Sequence, residues 1–319
     1  MSFEFKTIDE NTVKEYLTIA DIINRVEITY KWYSEGKINM PSKITTDMHS
    51  LGVPSWINAM PSYVQPCDTL GLKWAGGFTE NAQAGKPYIK AVILVTNPRD
   101  GELEAVIAGD WISDIRTGAQ TAVAAKYLAV NNPQVVTLIG AGVQSFATAL
   151  CLCQIFKLKE LRISDINPAS CKSFVEKARG IIDTPIKIFN NNQAAVLDAD
   201  IIVTATAADT ALVKADWVKP GVLISSIGSY QELDDELIWQ ADKLVVDHLE
   251  QNVHRGEFAK LFASGKLEIE NIWAEIGDIV AGRIKGRVKQ NEKIIISPIG
   301  MGCLDISIAG LLLEKMQIK

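Results

Sequence analysis

Two basic residues have the surroundings that handling a carboxylate requires. Lys73 lies in Gly71-Leu72-Lys73-Trp74-Ala75-Gly76-Gly77, a cation inside an otherwise apolar, glycine-flanked strand. Burial lowers the pKa of such a lysine, which can then hold a carboxylate or hand over a proton. The pattern also fits an edge-strand lysine facing water. Arg116, in Ile115-Arg116-Thr117-Gly118-Ala119, opens a predicted helix. A guanidinium beside helix-start N–H groups suits phosphate or carboxylate, and a surface ion pair is the ordinary alternative. Lys43, after Met40-Pro41-Ser42, is weaker alone, because surface lysines are common. Asp305 follows a glycine-rich turn before an apolar run, and Asp234 and Asp235 precede another helix. All three read as helix-start acids favoured by capping and the helix dipole, not as catalysts.

A second chemistry is written in Val135-Val136-Thr137-Leu138-Ile139-Gly140-Ala141-Gly142-Val143-Gln144-Ser145. A β-branched strand enters a G-x-G turn and then a helix-like segment, Phe146 to Phe156. Gly140 permits the tight turn, Gly142 lets backbone approach a pyrophosphate, and Ser145 is small enough for helix to meet strand. A second strand, Leu161 to Ser164, ends at Asp165, placed to accept from a ribose 2′-hydroxyl. Asp165-Ile166-Asn167 favours NAD, since the acid repels a 2′-phosphate and no arginine follows at once. NADP stays open as the lesser alternative.

The elements that must position these residues fall into two kinds. From Val135 onward, β-branched runs alternate with helical segments: Ile186 to Phe189, Ala199 to Thr206, Val222 to Ile227 and Leu244 to Asp247. That is the pattern of a parallel sheet covered on both faces. The first half has a helix over Asn11 to Tyr33 and then short alternating segments at Ile44–Met48, Ser55–Met60, Leu70–Ala75, Ile89–Thr96 and Leu103–Ile107. Asn97-Pro98 with Asp100-Gly101 signals a hairpin between the last two. This reads as an antiparallel α+β domain, joined onward by a helix from about Thr117 to Ala129, with an apolar C-terminal helix over Ile306 to Met316.

Composition narrows the function classes. The chain has 319 residues, 48% hydrophobic and 22% charged, with net charge −6, which argues against a nucleic-acid binder. No apolar run is long enough for a membrane span, and Met1-Ser2-Phe3-Glu4-Phe5 lacks a signal-peptide core. Five scattered cysteines read as reduced thiols, and three dispersed histidines propose no metal site. A cytoplasmic protein is the expectation.

Eight blocks taken in order resemble the ornithine cyclodeaminase/mu-crystallin family, which includes archaeal-type alanine dehydrogenases and cyclic ketimine reductases. They are Met40-Pro41-Ser42-Lys43, Ala59-Met60-Pro61, Gly71-Leu72-Lys73, Ser113-Asp114-Ile115-Arg116-Thr117-Gly118-Ala119, Gly140 to Ser145, Glu232-Leu233-Asp234, Gly256-Glu257 and Ile276 to Gly282. The resemblance covers nearly the whole chain. It implies an α/β fold, with a Rossmann doubly wound parallel-sheet domain over 119–298. An α+β substrate and dimerisation domain would be built from 1–118 and 299–319, forming a homodimer through its sheet. It also implies that Lys73 and Arg116 bind the substrate carboxylate, with Arg116 close to the cofactor phosphates. Lys43 contacts substrate at a position that is arginine in cyclodeaminases and lysine in the archaeal-type alanine dehydrogenases. Thr117, Val143, Gln144, Thr204, Ala205, Thr206 and Gly228 join Gly140, Gly142, Asp165 and Asn167 around the cofactor.

Two departures shape the expectation. Asn58 stands where cyclodeaminases have an acid for the distal amino group of ornithine, and where alanine dehydrogenases have arginine. Only Ser229-Tyr230-Gln231 separates Gly228 from Glu232, so the aspartate that cyclodeaminases carry in this loop is absent. The implied activity is therefore an NAD(P)-dependent oxidoreductase on CH–NH or CH–NH2 groups of small amino or imino acids, with Lys73 and Lys43 as the proton-handling residues. An ornithine or lysine cyclodeaminase is one alternative, and a non-catalytic NAD(P)-dependent small-ligand binder is the other.

Overall fold

A computed structural model describes residues 4–82 and 84–318. Met1–Phe3, read above as part of a start without a signal core, lie outside the described residues. The chain divides into two units, Met1–Arg116 with Met301–Lys319 and Thr117–Gly300.

The first unit begins with β1 (Lys6–Ile8), α1 (Glu10–Tyr16) and α2 (Ile19–Ser34). The single helix expected over Asn11 to Tyr33 is two, because Thr18 caps α2. Its hydroxyl accepts from the Asp21 N–H while Asp21 returns the bond to the Thr18 N–H. Then follow β2 (Ile38–Asn39), β3 (Ile44–Asp47), β4 (Ser55–Val64), β5 (Thr69–Phe78), β6 (Ile89–Thr96) and β7 (Leu103–Ala108). Their sheet has the order β1-β7-β6-β5-β4-β2, with β3 also on β4. It is antiparallel except where β1 runs parallel to β7, so the expected purely antiparallel sheet is a mixed one. Helix α3 (Asp110–Leu128) starts seven residues before Thr117, the start expected from sequence.

The second unit contains β8 (Val135–Ile139), α4 (Val143–Ile155), β9 (Glu160–Ser164), α5 (Pro168–Ala178), β10 (Ile186–Phe189), α6 (Asn192–Val196) and β11 (Ile201–Thr204). It continues with β12 (Leu223–Ser226), α7 (Asp235–Trp239), β13 (Lys243–Val246), α8 (Leu249–Asn252), α9 (Ala259–Ala263), β14 (Ile272–Glu275), α10 (Ile276–Val280) and β15 (Ile294–Ser297). The eight strands are all parallel in the order β10-β9-β8-β11-β12-β15-β13-β14. Every residue of β11, β12, β13 and β15 is buried, as a sheet covered on both faces requires. Strand order reverses between β8 and β11, and the crevice at the carboxyl ends of strands at such a switch point is where α/β sheets bind ligands. Strands β14 and β15 lie outside the segments expected from sequence.

Helix α11 (Gly302–Lys315) returns to the first unit and lies on β4, β5 and β6 of its sheet. Leu304, Ile306, Ile308, Leu312 and Leu313 are fully buried there, each contributing roughly 2 kcal/mol of apolar burial. Among the described residues no helix is long and apolar enough to cross a membrane, and no group of His, Cys, Asp and Glu is arranged to hold a metal.

Candidate active site

Alternation along β4 and β5 decides which side chains face α11. Met60 pairs with Lys73, and Lys73 with Ile93, so these three form one cross-strand row. Asn58 lies two residues before Met60 and therefore on the same face. Ile44 of β3 pairs with Ala59, so Lys43, half-buried one residue before that ladder, extends toward the Met60 row. The sheet thus brings Lys43, Asn58 and Lys73 to one face. The Asn58 side-chain oxygen accepts a 2.5 Å bond from the Thr45 hydroxyl.

Lys73 is not on an edge. Strand β5 runs between β4 and β6, and Lys73 is 1% exposed. Its Nζ donates to Ser113 Oγ at 2.8 Å and lies 2.8 Å from Asp305 Oδ1. Arg116 Nε lies 3.2 Å from the other oxygen, Asp305 Oδ2. Burial, then the neighbouring Arg116 charge, pushes the Lys73 pKa down to about 8, against the pull of Asp305 and Asp114. Asp114 is pushed up to about 6, first by burial and then by Asp110, with Lys73 and Arg116 opposing.

Two readings of these residues need correction. Arg116 does not open a helix, since α3 begins at Asp110 and Arg116 lies in its second turn. It is therefore not at the start of its own helix, and its Nε lies beside Asp305. Asp305 lies in the first turn of α11, as expected, but it does not cap the helix: the N-cap is Met301, and Asp305 is fully buried in the ion-pair cluster. Its partners are far away in sequence, so only the pairing of β5 with α11 reveals them. Asp234 does cap α7, accepting from the Leu237 N–H at 2.9 Å.

In the second unit the glycine turn has the geometry its sequence implies. Gly140 has φ +96, and a Cβ there would sit 2.7 Å from the Ala205 carbonyl oxygen and 3.0 Å from Thr206 Cγ2. The turns after β8 and β11 therefore touch at the switch point. Gly142 is different. As N-cap of α4 it has an ordinary φ of −81, gives the helix no side-chain cap, and a Cβ there would meet nothing within 4 Å. It borders a cleft of about 440 Å³ also lined by Val143, Asn167, Ser170 and Lys177. Uncapped N–H groups at a bare backbone edge fit a pyrophosphate. Asp165 follows β9 and accepts from the Ala141 N–H and the Asn167 N–H, each at 2.7 Å. Its oxygens keep second lone pairs for ribose hydroxyls. Ser145 is fully buried, as close helix–strand packing demands. Ser170 and Lys177, whose sequence carried no motif, reach the cleft only through the placement of α5.

Thr204, Ala205, Thr206 and Gly228 gather at the carboxyl ends of β11 and β12, around a residue not singled out for chemistry. Glu232, fully buried, accepts from the Thr206 N–H at 2.9 Å and the Thr206 hydroxyl at 2.5 Å. Glu257 accepts in turn from the N–H groups of Glu232 and Leu233 and from the Ser226 hydroxyl. Burial pushes the Glu257 carboxyl up to about 7 against those three bonds. Thr117 is half-buried in α3 and Gln144 half-buried in the first turn of α4.

The comparisons with known proteins accord with this geometry. The sequence profile of the "Ornithine cyclodeaminase/mu-crystallin family" matches residues 6–319. An alanine dehydrogenase of Archaeoglobus fulgidus is 30% identical over 312 residues, covering 97% of this chain and 94% of that protein. The structure of Thermococcus litoralis Delta(1)-pyrroline-2-carboxylate reductase in complex with NADH and L-proline superposes with TM-score 0.93 at 29% identity, covering 98% of this chain and 97% of that one. An archaeal alanine dehydrogenase dimer with bound NAD gives TM-score 0.91 at 30% identity, with coverage of 98% and 96%.

Proposed function

The chain belongs to the ornithine cyclodeaminase/mu-crystallin family, and from that premise we propose that it is an NAD-dependent oxidoreductase acting on the CH–NH or CH–NH2 group of a small amino or imino acid. The observation that carries the reading is the buried cluster of the first unit. Lys73 and Arg116 bring two buried cations side by side on the two oxygens of Asp305, an arrangement that suits a ligand carboxylate. Lys73, with its pKa lowered to about 8, is suited both to grip that carboxylate and to give a proton to the substrate nitrogen. Lys43 is assigned as a further cation for the substrate. Asn58 offers a neutral hydrogen-bonding side chain, which suits a substrate without a distal ammonium.

A bound dinucleotide supplies the hydride. Gly140, Gly142, Val143 and Gln144 would seat its pyrophosphate, Asp165 and Asn167 its adenosine ribose, and Thr204, Ala205, Thr206 and Gly228 the bordering turns, with Arg116 and Thr117 contributing from α3. We assign the two units accordingly, the first to substrate and dimerisation and the second to the dinucleotide. A homodimer is the inferred assembly, consistent with the archaeal relative solved as a dimer. All five cysteines are free thiols, which suits a reducing compartment such as the cytoplasm.

The test is NADH oxidation against a panel of pyruvate with ammonia, Δ1-pyrroline-2-carboxylate and Δ1-piperideine-2-carboxylate. Wild type is expected to turn over at least one member. Lys73→Ala and Arg116→Ala are each expected to lose at least about 100-fold in kcat/KM, the size of a lost charged contact. Tight NADH binding with no turnover across the panel would overturn the enzyme reading in favour of a binding protein. Proline or pipecolate formed from ornithine or lysine with catalytic NAD alone would favour a cyclodeaminase.

A further inference from the structure

The cluster around Lys73 contains a residue for which the reaction itself supplies no reason. Asp305 makes no transfer and would face a ligand of its own charge, yet it is fully buried within the α11 face that packs on the sheet. A buried carboxylate persists only where its partners are close and well placed. Here the partners sit on separate oxygens, Lys73 at 2.8 Å on Oδ1 and Arg116 at 3.2 Å on Oδ2. One aspartate thus spans two cations that would otherwise repel each other.

The packing on either side holds that arrangement still. A Cβ on Gly71 would come within 2.8 Å of Ile306 Cδ1 and 2.5 Å of the Leu94 carbonyl oxygen. A Cβ on Gly302 would lie 2.9 Å from both Met60 Cβ and the Met60 carbonyl oxygen. Glycines on the strand and on the helix therefore let α11 come close beside Met60 and Lys73. Asp305 cannot retreat without lifting the helix. On the lysine, Ser113 takes one ammonium hydrogen, and Asp305 Oδ1 lies at ion-pair distance from the same nitrogen.

We propose that Asp305 is the positioning residue of the carboxylate site: it clamps the Lys73 ammonium and the Arg116 guanidinium side by side for a ligand carboxylate. The proposal rests on the functional reading above for the identity of that ligand. Its consequence is electrostatic as well as geometric. The charged groups facing Lys73 are Asp305 from α11 with Arg116 and Asp114 from α3, and Asp110 and Glu10 act on Asp114. Burial and Arg116 favour the neutral amine, and Asp305 is the first of the groups that oppose them. Loss of Asp305 removes the first of the influences that keep Lys73 charged and so weakens its hold on a carboxylate.

The test uses wild type, three variants and two readouts. The Lys73 side chain is titrated by NMR in protein labelled at lysine Cε, its signal assigned by its absence from Lys73→Arg. This measurement needs no substrate. Asp305→Asn is expected to move the Lys73 midpoint down by at least about one pH unit, the effect of losing a close opposite charge. It should raise KM for the imino acid at least about tenfold, with the alkaline rise in KM displaced downward equally. Asp305→Glu keeps the charge but displaces it by a methylene, so it should hold the midpoint and still raise KM by about fivefold. A folded Asp305→Asn with wild-type midpoint and wild-type KM overturns the proposal. If Asp305→Asn does not fold, an Asp305→Glu protein with unchanged KM does so. Failure of wild type to oxidise NADH with any panel member overturns the functional reading alone, because the lysine titration still reports on Asp305.

Discussion

At the scale of single residues, the carboxylate site is governed by how burial and charge divide one set of protons. Lys73 carries a positive charge in a place where water cannot help it, so its charge is lost above about pH 8. Carboxylate affinity is therefore expected to be flat below that pH and to weaken about tenfold per unit above it. Asp114 has the opposite defect. Its folded pKa of about 6 lies above the ordinary 3.8, so between those values the folded state holds the proton that the unfolded state releases. Stability is thus present at low pH and lost as pH rises through that window. Asp114→Asn removes the titrating group, so the variant should lack this loss. Relative to wild type it should gain on the order of 2 kcal/mol between pH 4 and pH 7, discounted for the partial exposure of Asp114. Urea unfolding at the two pH values measures the difference, and parallel behaviour of the two proteins would contradict it.

At the scale of elements, the two glycines of the turn after β8 make different demands, and substitution separates them. Gly140 is required by the fold itself, through its positive φ and its contact with Ala205. Gly142 has neither constraint in the free protein, so Gly142→Ala should leave the thermal midpoint within about 2 °C of wild type. It should nevertheless weaken NADH binding at least about tenfold, because the added methyl stands where the pyrophosphate must approach backbone. Fluorescence titration with NADH checks this, and unchanged affinity would show that the cleft beside Gly142 is not the pyrophosphate seat. The same contrast explains what could be read from the sequence. The glycine turn, Asp165 and the strands β8, β9, β11, β12 and β13 announce themselves, since their signals are local: β-branched runs, positive-φ glycine and an acid at the end of a strand. Elements whose reasons are distant were not legible. Strand β15 is a short apolar segment that becomes a strand because β12 and β13 leave room between them. Helix α3 starts early because Asp110 opens it, accepting from the Ala91 N–H and pairing with Lys90 across the end of β6. That earlier start deprives Arg116 of a helix-start role. Asp305 looked like any first-turn acid until α11 was laid against β5.

At the scale of the whole molecule, the sheet of the first unit has a second face that carries exposed apolar side chains. Strand β5 alternates between the two faces, so Lys73 points to α11 while Trp74 and Leu72 point away. Trp74 pairs with Val92 and with Ala59, and Leu72 with Leu94 and Pro61, so an apolar patch crosses β4, β5 and β6. Trp74 and Val92 are 44% and 39% exposed. Contiguous apolar surface of this kind marks an association site, and a second copy of the same face is self-complementary across a two-fold axis. A stable pairing needs roughly 1,200–2,000 Å² of total burial, which a patch spanning three strands can supply. The wild type is accordingly expected to sediment at twice the 34.9 kDa of one chain at micromolar concentration. Trp74→Lys with Leu94→Lys should bring like charges onto a diagonal of the interface and give a monomer whose circular dichroism is unchanged. Because Trp74 adjoins Lys73 on the same strand, dissociation also frees β5 on the face opposite the carboxylate site. Loss of the dimer should therefore raise KM for the imino acid while leaving NADH affinity, assigned above to the other unit, within about twofold of wild type. A monomeric wild type would refute the assembly, and a monomeric variant with unaltered KM would show that β5 holds Lys73 in place without a partner.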